Sequence, residues 1–140
     1  VMIAVPLYYY NLLPDEIPRH YNFAGRPDGF GPRGLIWVLP VIGIATFLLF
    51  SFLPRLILKQ RPDKHSNPDE FHLQQKGVTL LLDMVNASIM VSFAYITVMG
   101  IQVALGNAGG LGVWFMPAFL ILMVLLPLIY SLFLIQRKTC

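Results

Sequence analysis

Apolar residues run along this chain in blocks separated by short polar stretches dense in proline and glycine. The first block, residues 1–13, ends in Tyr8-Tyr9-Tyr10, a density of tyrosine suited to a membrane interface. Pro14 and Pro18 then stop any helix. A second block, 35–53, opens near Trp37 and ends before Pro54-Arg55, with Pro40 predicting a kink or an opened first turn. The polar connector 55–76 contains Asn67-Pro68-Asp69-Glu70, a helix-start signature with a capping residue, a proline suited to the first helical position and an acid three residues on. The third helix is therefore predicted to start near Pro68 and run to Leu105, crossing as the span 77–105 and projecting by about two turns. The turn 106–110 makes the third and fourth spans antiparallel neighbours. The fourth span is 112–136, with Trp114 near its start and Pro117 and Pro127 inside it.

Four apolar blocks of this kind predict an all-α integral membrane protein. The expected fold is a single domain over residues 1–140, a four-span transmembrane helix bundle with a small extracytoplasmic hairpin-like cap, 14–34, between spans 1 and 2. Thirteen helical residues rise only about 20 Å against a hydrocarbon core of about 30 Å, so the first span is expected to begin before Val1. A cleaved leader is the weaker reading, since no basic n-region or small-residue cleavage site is visible.

Composition agrees: 56% of residues are hydrophobic, 12% are charged, and mean hydropathy is +0.67. The net charge of +3 does not point to nucleic acid, because the cations flank apolar spans and face headgroups. Arg55, Lys59, Arg61, Lys64 and Lys76 lie in the connector, and Arg137 and Lys138 in the tail. The 14–34 loop holds Arg19, Arg26 and Arg33, offset by Asp15, Glu16 and Asp28. Seven cations against three place the connector and both termini in the cytoplasm and the loop outside. The lone cysteine, Cys140, allows no internal disulfide.

The polar loop holds the first candidate chemistry. Residues 19–23 are expected to form a strand, 24–27 a turn and 28–31 the returning strand. His20, Asn22 and Asp28 would converge on one face, either to hold the hairpin on the bundle or to meet a ligand. One histidine and a few carboxylates are not a metal signature, and no cofactor motif is present. Asp83 is the second feature, an acid inside the third span that costs free energy to bury. It is expected to point into the bundle and find neutral partners at similar depth: Asn86, Tyr130, Ser131 or Ser51. His65 and His72 are read as solvated histidines of the connector. No nucleophile–base set, phosphate loop, CxxC or HExxH appears, so the chain is expected not to be an enzyme.

The run from Leu13 to Gly31 resembles the signature of a domain-of-unknown-function family of bacterial membrane proteins, approximately L-P-x-x-I-P-x-H-[FY]-N-x-x-G-x-P-D-x-[FY]-G. Pro18, His20, Asn22, Gly25, Pro27 and Asp28 carry the match. Pro32-Arg33 stands where family members usually have Ser-Lys. The resemblance continues more weakly through Trp37 and Pro40 and at 110–117. The same domain forms the N-terminal part of Sdp-type toxin-immunity proteins, whose second multi-span domain these 140 residues do not contain. The resemblance implies partner recognition rather than chemistry. The expected protein is a non-catalytic component of the bacterial cytoplasmic (inner) membrane, touching lipid and either other membrane-protein subunits or a secreted peptide. The competing expectation is a transporter or channel component that uses Asp83.

Overall fold

The computed structural model describes residues 1–57 and 68–136. The cap residue Asn67, the connector residues Lys59, Arg61, Lys64 and His65, and the tail residues Arg137, Lys138 and Cys140 lie outside the described residues. Helix α1 spans Ala4–Tyr9 and tightens into a 3₁₀ turn, Tyr10–Leu12. Leu13 follows in an extended conformation (φ −71°, ψ 141°), as the proline after it requires.

Strands β1, Glu16–Tyr21, and β2, Pro27–Pro32, then form an antiparallel hairpin. Glu16 pairs with Pro32, Ile17 with Gly31, Pro18 with Phe30, His20 with Gly29 and Tyr21 with Pro27. Arg19 on one strand and Asp28 on the other are skipped, so two opposed irregularities restore the overall alignment. The first strand begins and ends earlier than the sequence pattern predicts, at Glu16 and Tyr21, and the second extends one residue further at each end, because backbone pairing runs from Glu16–Pro32 at the base to Tyr21–Pro27.

A 3₁₀ turn, Arg33–Trp37, leads into α2, Val38–Ile57. Pro40 therefore falls in the first turn of α2, the part of a helix where proline is best tolerated. The expected opened first turn is this 3₁₀ segment, and α2 continues past Pro54 to Ile57. Helix α3 runs Pro68–Ala104. Helices α4, Phe115–Leu120, and α5, Leu126–Gln136, are joined by a π turn, Ile121–Leu125. The wide turn directly precedes Pro127, whose ring would otherwise press on the carbonyl one turn back.

Three helical stretches are long and apolar enough to cross a membrane: Arg33–Leu53, Gln75–Ala104 and Phe115–Phe133, with mean hydropathies of 2.4, 1.7 and 2.3. Within residues 1–13, expected as the first of four spans, only Ala4–Leu12 is helical, too short to be counted with them.

Helix α3 is the central element, packed against α2, α5, α1 and β1. The buried apolar cluster, Leu13, Ile17, Ile36 and Ile101, sits where α1, the hairpin, the start of α2 and the end of α3 meet. Lower down, α2 and α5 leave residues such as Val41, Leu49, Leu128 and Ile129 exposed. Helices without an aqueous surround need not hide such side chains from solvent. Buried hydroxyls on α3 are satisfied within their own helix. Ser88 donates to the carbonyl of Met84 (2.8 Å), Ser92 to that of Ser88 (2.8 Å) and Thr97 to that of Phe93 (2.7 Å).

The expected inward placement of Asp83 is corrected. Asp83 is exposed on α3 and lines a shallow groove with His72, Gln75, Lys76 and Thr79. Asn86 is buried at 7% exposure with its Oδ1 unpartnered, so the two do not pair. Three residues along a helix turn it about 60° short of a full circle. Asn86 thereby shares a stripe with Phe93, which packs near Gly43 of α2, while Asp83 turns outward. Tyr130 is half-buried on α5 and makes no hydrogen bond with Asp83 among the described residues.

Candidate functional site

The site begins with the hairpin's tip. Asn22 closes it: its Oδ1 accepts from the N–H groups of Ala24 (3.0 Å) and Arg26 (3.1 Å). Its own N–H donates to the Arg26 carbonyl (2.9 Å), and its carbonyl accepts from Gly25 (2.8 Å). A short amide side chain is suited to capturing backbone donors two and four residues on, which is how asparagine stabilises turns. Asn22 is thus occupied with the backbone of its own turn.

His20 and Asp28 do come together, as the sequence suggested. Nδ1 lies 2.5 Å from Oδ1, with the side chains 70% and 41% exposed. The irregularity that skips Asp28 in the pairing brings its carboxylate beside His20. Asn22 does not join them, so the expected three-residue face is a two-residue pair. No group of three or more metal-ligating side chains exists among the described residues. Pro18 and Pro27, both half-buried, stiffen the strands and remove edge donors.

Gly25 has the role that sequence reasoning missed. It adopts φ +72°, and its carbonyl accepts a 2.7 Å hydrogen bond from the N–H of Leu111, in the loop between α3 and α4. A Cβ at Gly25 would stand 2.7 Å from the Gly112 carbonyl oxygen, and one at Gly110 would collide with the Gly25 carbonyl. Two glycine-rich segments therefore lie backbone to backbone. Leu111 is itself buried, and its carbonyl accepts from the Tyr95 hydroxyl (2.7 Å). The Tyr95 ring stacks on Phe115 at 5.3 Å, which ties the loop to both helices it joins. The clue in the sequence was the glycine density at both places, but no sequence pattern pairs them.

Beneath the tip, the Tyr21 hydroxyl is buried without a partner and close to Gly100 of α3. Burial pushes its phenol up to about 12. Around the tip, Phe23 (82%), Val113 (66%) and Trp114 (80%) stay exposed. The outcome is a braced platform of hairpin and loop with aromatic side chains left free.

Residues 1–44 match the family model described as Domain of unknown function (DUF1648). The match runs from α1 through the hairpin into the start of α2, so the resemblance carried by the hairpin residues is borne out. It does not extend to the 110–117 run. An uncharacterized protein of the archaeon Archaeoglobus fulgidus is 38% identical over 53 residues, which are 38% of this chain and 25% of that protein. The aligned stretch thus spans about a quarter of that relative. No solved structure matches the chain.

Proposed function

We propose, from the premise of a membrane protein carrying a domain of unknown function at its N-terminal end, that the chain is non-catalytic and works by interaction. In this reading it is either an accessory subunit of a larger membrane complex or an immunity-like receptor for a secreted peptide. Its topology is a four-helix arrangement in a bacterial cytoplasmic membrane. The 1–13 segment packs beside α3, the hairpin and the 106–112 loop lie outside, and connector 55–76 and both ends lie in the cytoplasm. The distribution of Lys and Arg supports this orientation.

The observation that carries the reading is the joint between the Gly25 turn and the Leu111 loop. It holds Phe23 and Trp114 exposed on a platform built from two distant segments. Rigid, exposed aromatics are the side chains that most often anchor a protein contact. Pro18, Pro27 and Pro32 blunt the strand edges, so a partner would be met through side chains rather than by strand addition. Resemblance to Sdp-type immunity proteins favours a secreted peptide as that partner.

A photo-crosslinking residue at Phe23 in intact cells tests the reading. Capture of a membrane protein identifies the subunit role, and capture of a secreted peptide identifies the receptor role. If the same label on the lipid-exposed Leu128 captures partners and Phe23 captures none, the platform is not the recognition surface.

A second reading, a transporter or channel component, is favoured by one observation: the Asp83 carboxylate is exposed on a stretch apolar enough to span. Asp83→Asn should then abolish flux into vesicles containing the protein. Unchanged flux, or none in either form, removes that reading.

A further inference from the structure

Arg33 is the first residue of the apolar stretch Arg33–Leu53, so it stands at the boundary between the polar hairpin and the first long span. Its position is set by the backbone, because its N–H donates to the Asp15 carbonyl (2.9 Å) at the hairpin's base. Its guanidinium is set by a ring: Cζ lies 5.5 Å from the centroid of Tyr10. Tyr10 in turn lies 6.2 Å from Trp37, the two rings tilted by 36°. Tyrosine and tryptophan are the side chains that settle at headgroup depth.

The guanidinium is braced, but it is not neutralised. Among the described residues, no carboxylate lies within salt-bridge distance of Arg33, and it donates no side-chain hydrogen bond to the protein. Asp28, an acid of the same hairpin, is engaged by His20. Arg19 is also without a carboxylate, and its stem crosses Gly29 and Gly31 towards Leu35. Arg33 is half-buried, and its guanidinium carries a fixed positive charge and N–H donors that need anionic acceptors. At this depth the acceptors that charge complementarity selects are the phosphate oxygens of lipid headgroups.

We propose that Arg33, braced on Tyr10 beside Trp37 at the foot of the hairpin, binds the phosphate of an anionic membrane lipid. The site is built from the residue order Tyr10–Arg33–Trp37, not from a charge run. The inference is independent of the recognition role and of which side the hairpin faces, since both leaflets present phosphates. Its consequence is a hairpin whose base is held by lipid while its tip is held by the 106–112 loop.

The test is native mass spectrometry of the full chain released from nanodiscs. The discs contain phosphatidylglycerol and phosphatidylcholine with the same acyl chains. Phosphatidylglycerol should stay bound in preference to phosphatidylcholine. Arg33→Gln should reduce that preference by about fivefold, the scale of one interfacial cation at an anionic surface. Arg33→Lys, which keeps the charge, should retain most of it. Equal retention of the two lipids by the unsubstituted protein overturns the proposal. So does equal loss in the Gln and Lys variants, which would trace the effect to structure rather than charge. Displacement of the lipid by millimolar inorganic phosphate would identify a free-anion site and overturn the lipid assignment.

Discussion

Replacing Gly110 by alanine puts a methyl group on the Gly25 carbonyl, within 3.0 Å of its carbon and 3.3 Å of the Arg26 Cα. Both obstacles are backbone, so no side-chain rotation relieves them. The tip must move off the loop, and the 2.7 Å bond from Leu111 N–H to the Gly25 carbonyl is lost with it. A net hydrogen bond contributes about 1 kcal/mol, and forcing an extra methyl into a packed contact costs about 1–3 kcal/mol. The local opening free energy should therefore fall by about 2–4 kcal/mol. At about 1.4 kcal/mol per tenfold, hydrogen exchange at the Leu111 amide should accelerate by about 30-fold or more.

Three neighbouring substitutions separate the causes. Gly25→Ala adds the strain of a left-handed conformation, about 1–2 kcal/mol, to the same collision. Gly106→Ala carries the left-handed strain alone, since φ is +76° and nothing lies near its absent Cβ. Gly109→Ala meets nothing and has no positive φ, so it should leave exchange unchanged. If Gly110→Ala and Gly109→Ala expose the Leu111 amide equally, the tip is not docked on the loop and the platform does not exist.

Two other substitutions probe the hairpin. Tyr21→Phe removes a buried hydroxyl that has no partner, and should leave thermal stability in detergent unchanged or raised by up to about 2 kcal/mol. The native phenol titrates above its ordinary value of 10.0, near 12, so stability should be full below pH 10 and decline as pH rises towards 12. That decline follows because the unfolded chain ionises first, and alkaline melts of Tyr21→Phe should lack this component. His20→Ala and Asp28→Asn should each change stability by less than about 1 kcal/mol, because the pair is exposed to solvent. A larger loss in either melt would show that the pair holds the hairpin together.

Much of the architecture was legible along the chain because its signals are local. Block hydrophobicity marks spans without reference to neighbours. Pro14 ends the first helix, Pro68 starts the third, and the Asn22–Arg26 turn needs only residues within reach of one asparagine. Asp83 was misplaced for the opposite reason. Helical periodicity says which residues share a stripe, but the packing of neighbouring elements decides which stripe is covered, and it covers Asn86 rather than Asp83.

Residue order alone determined that this polypeptide is apolar enough to live in lipid, where its helices lie, and that a proline- and glycine-rich hairpin separates the first two. Those properties are written in hydropathy and backbone stereochemistry, which act over a few residues. Only the tertiary structure decided that Gly25 meets Gly110 and Gly112, that Tyr95 secures Leu111, and that Arg33 rests on Tyr10. Each of those contacts joins segments brought together by helix packing. Close approach of two backbones depends on what is missing from a glycine, and an absent side chain does not name its partner.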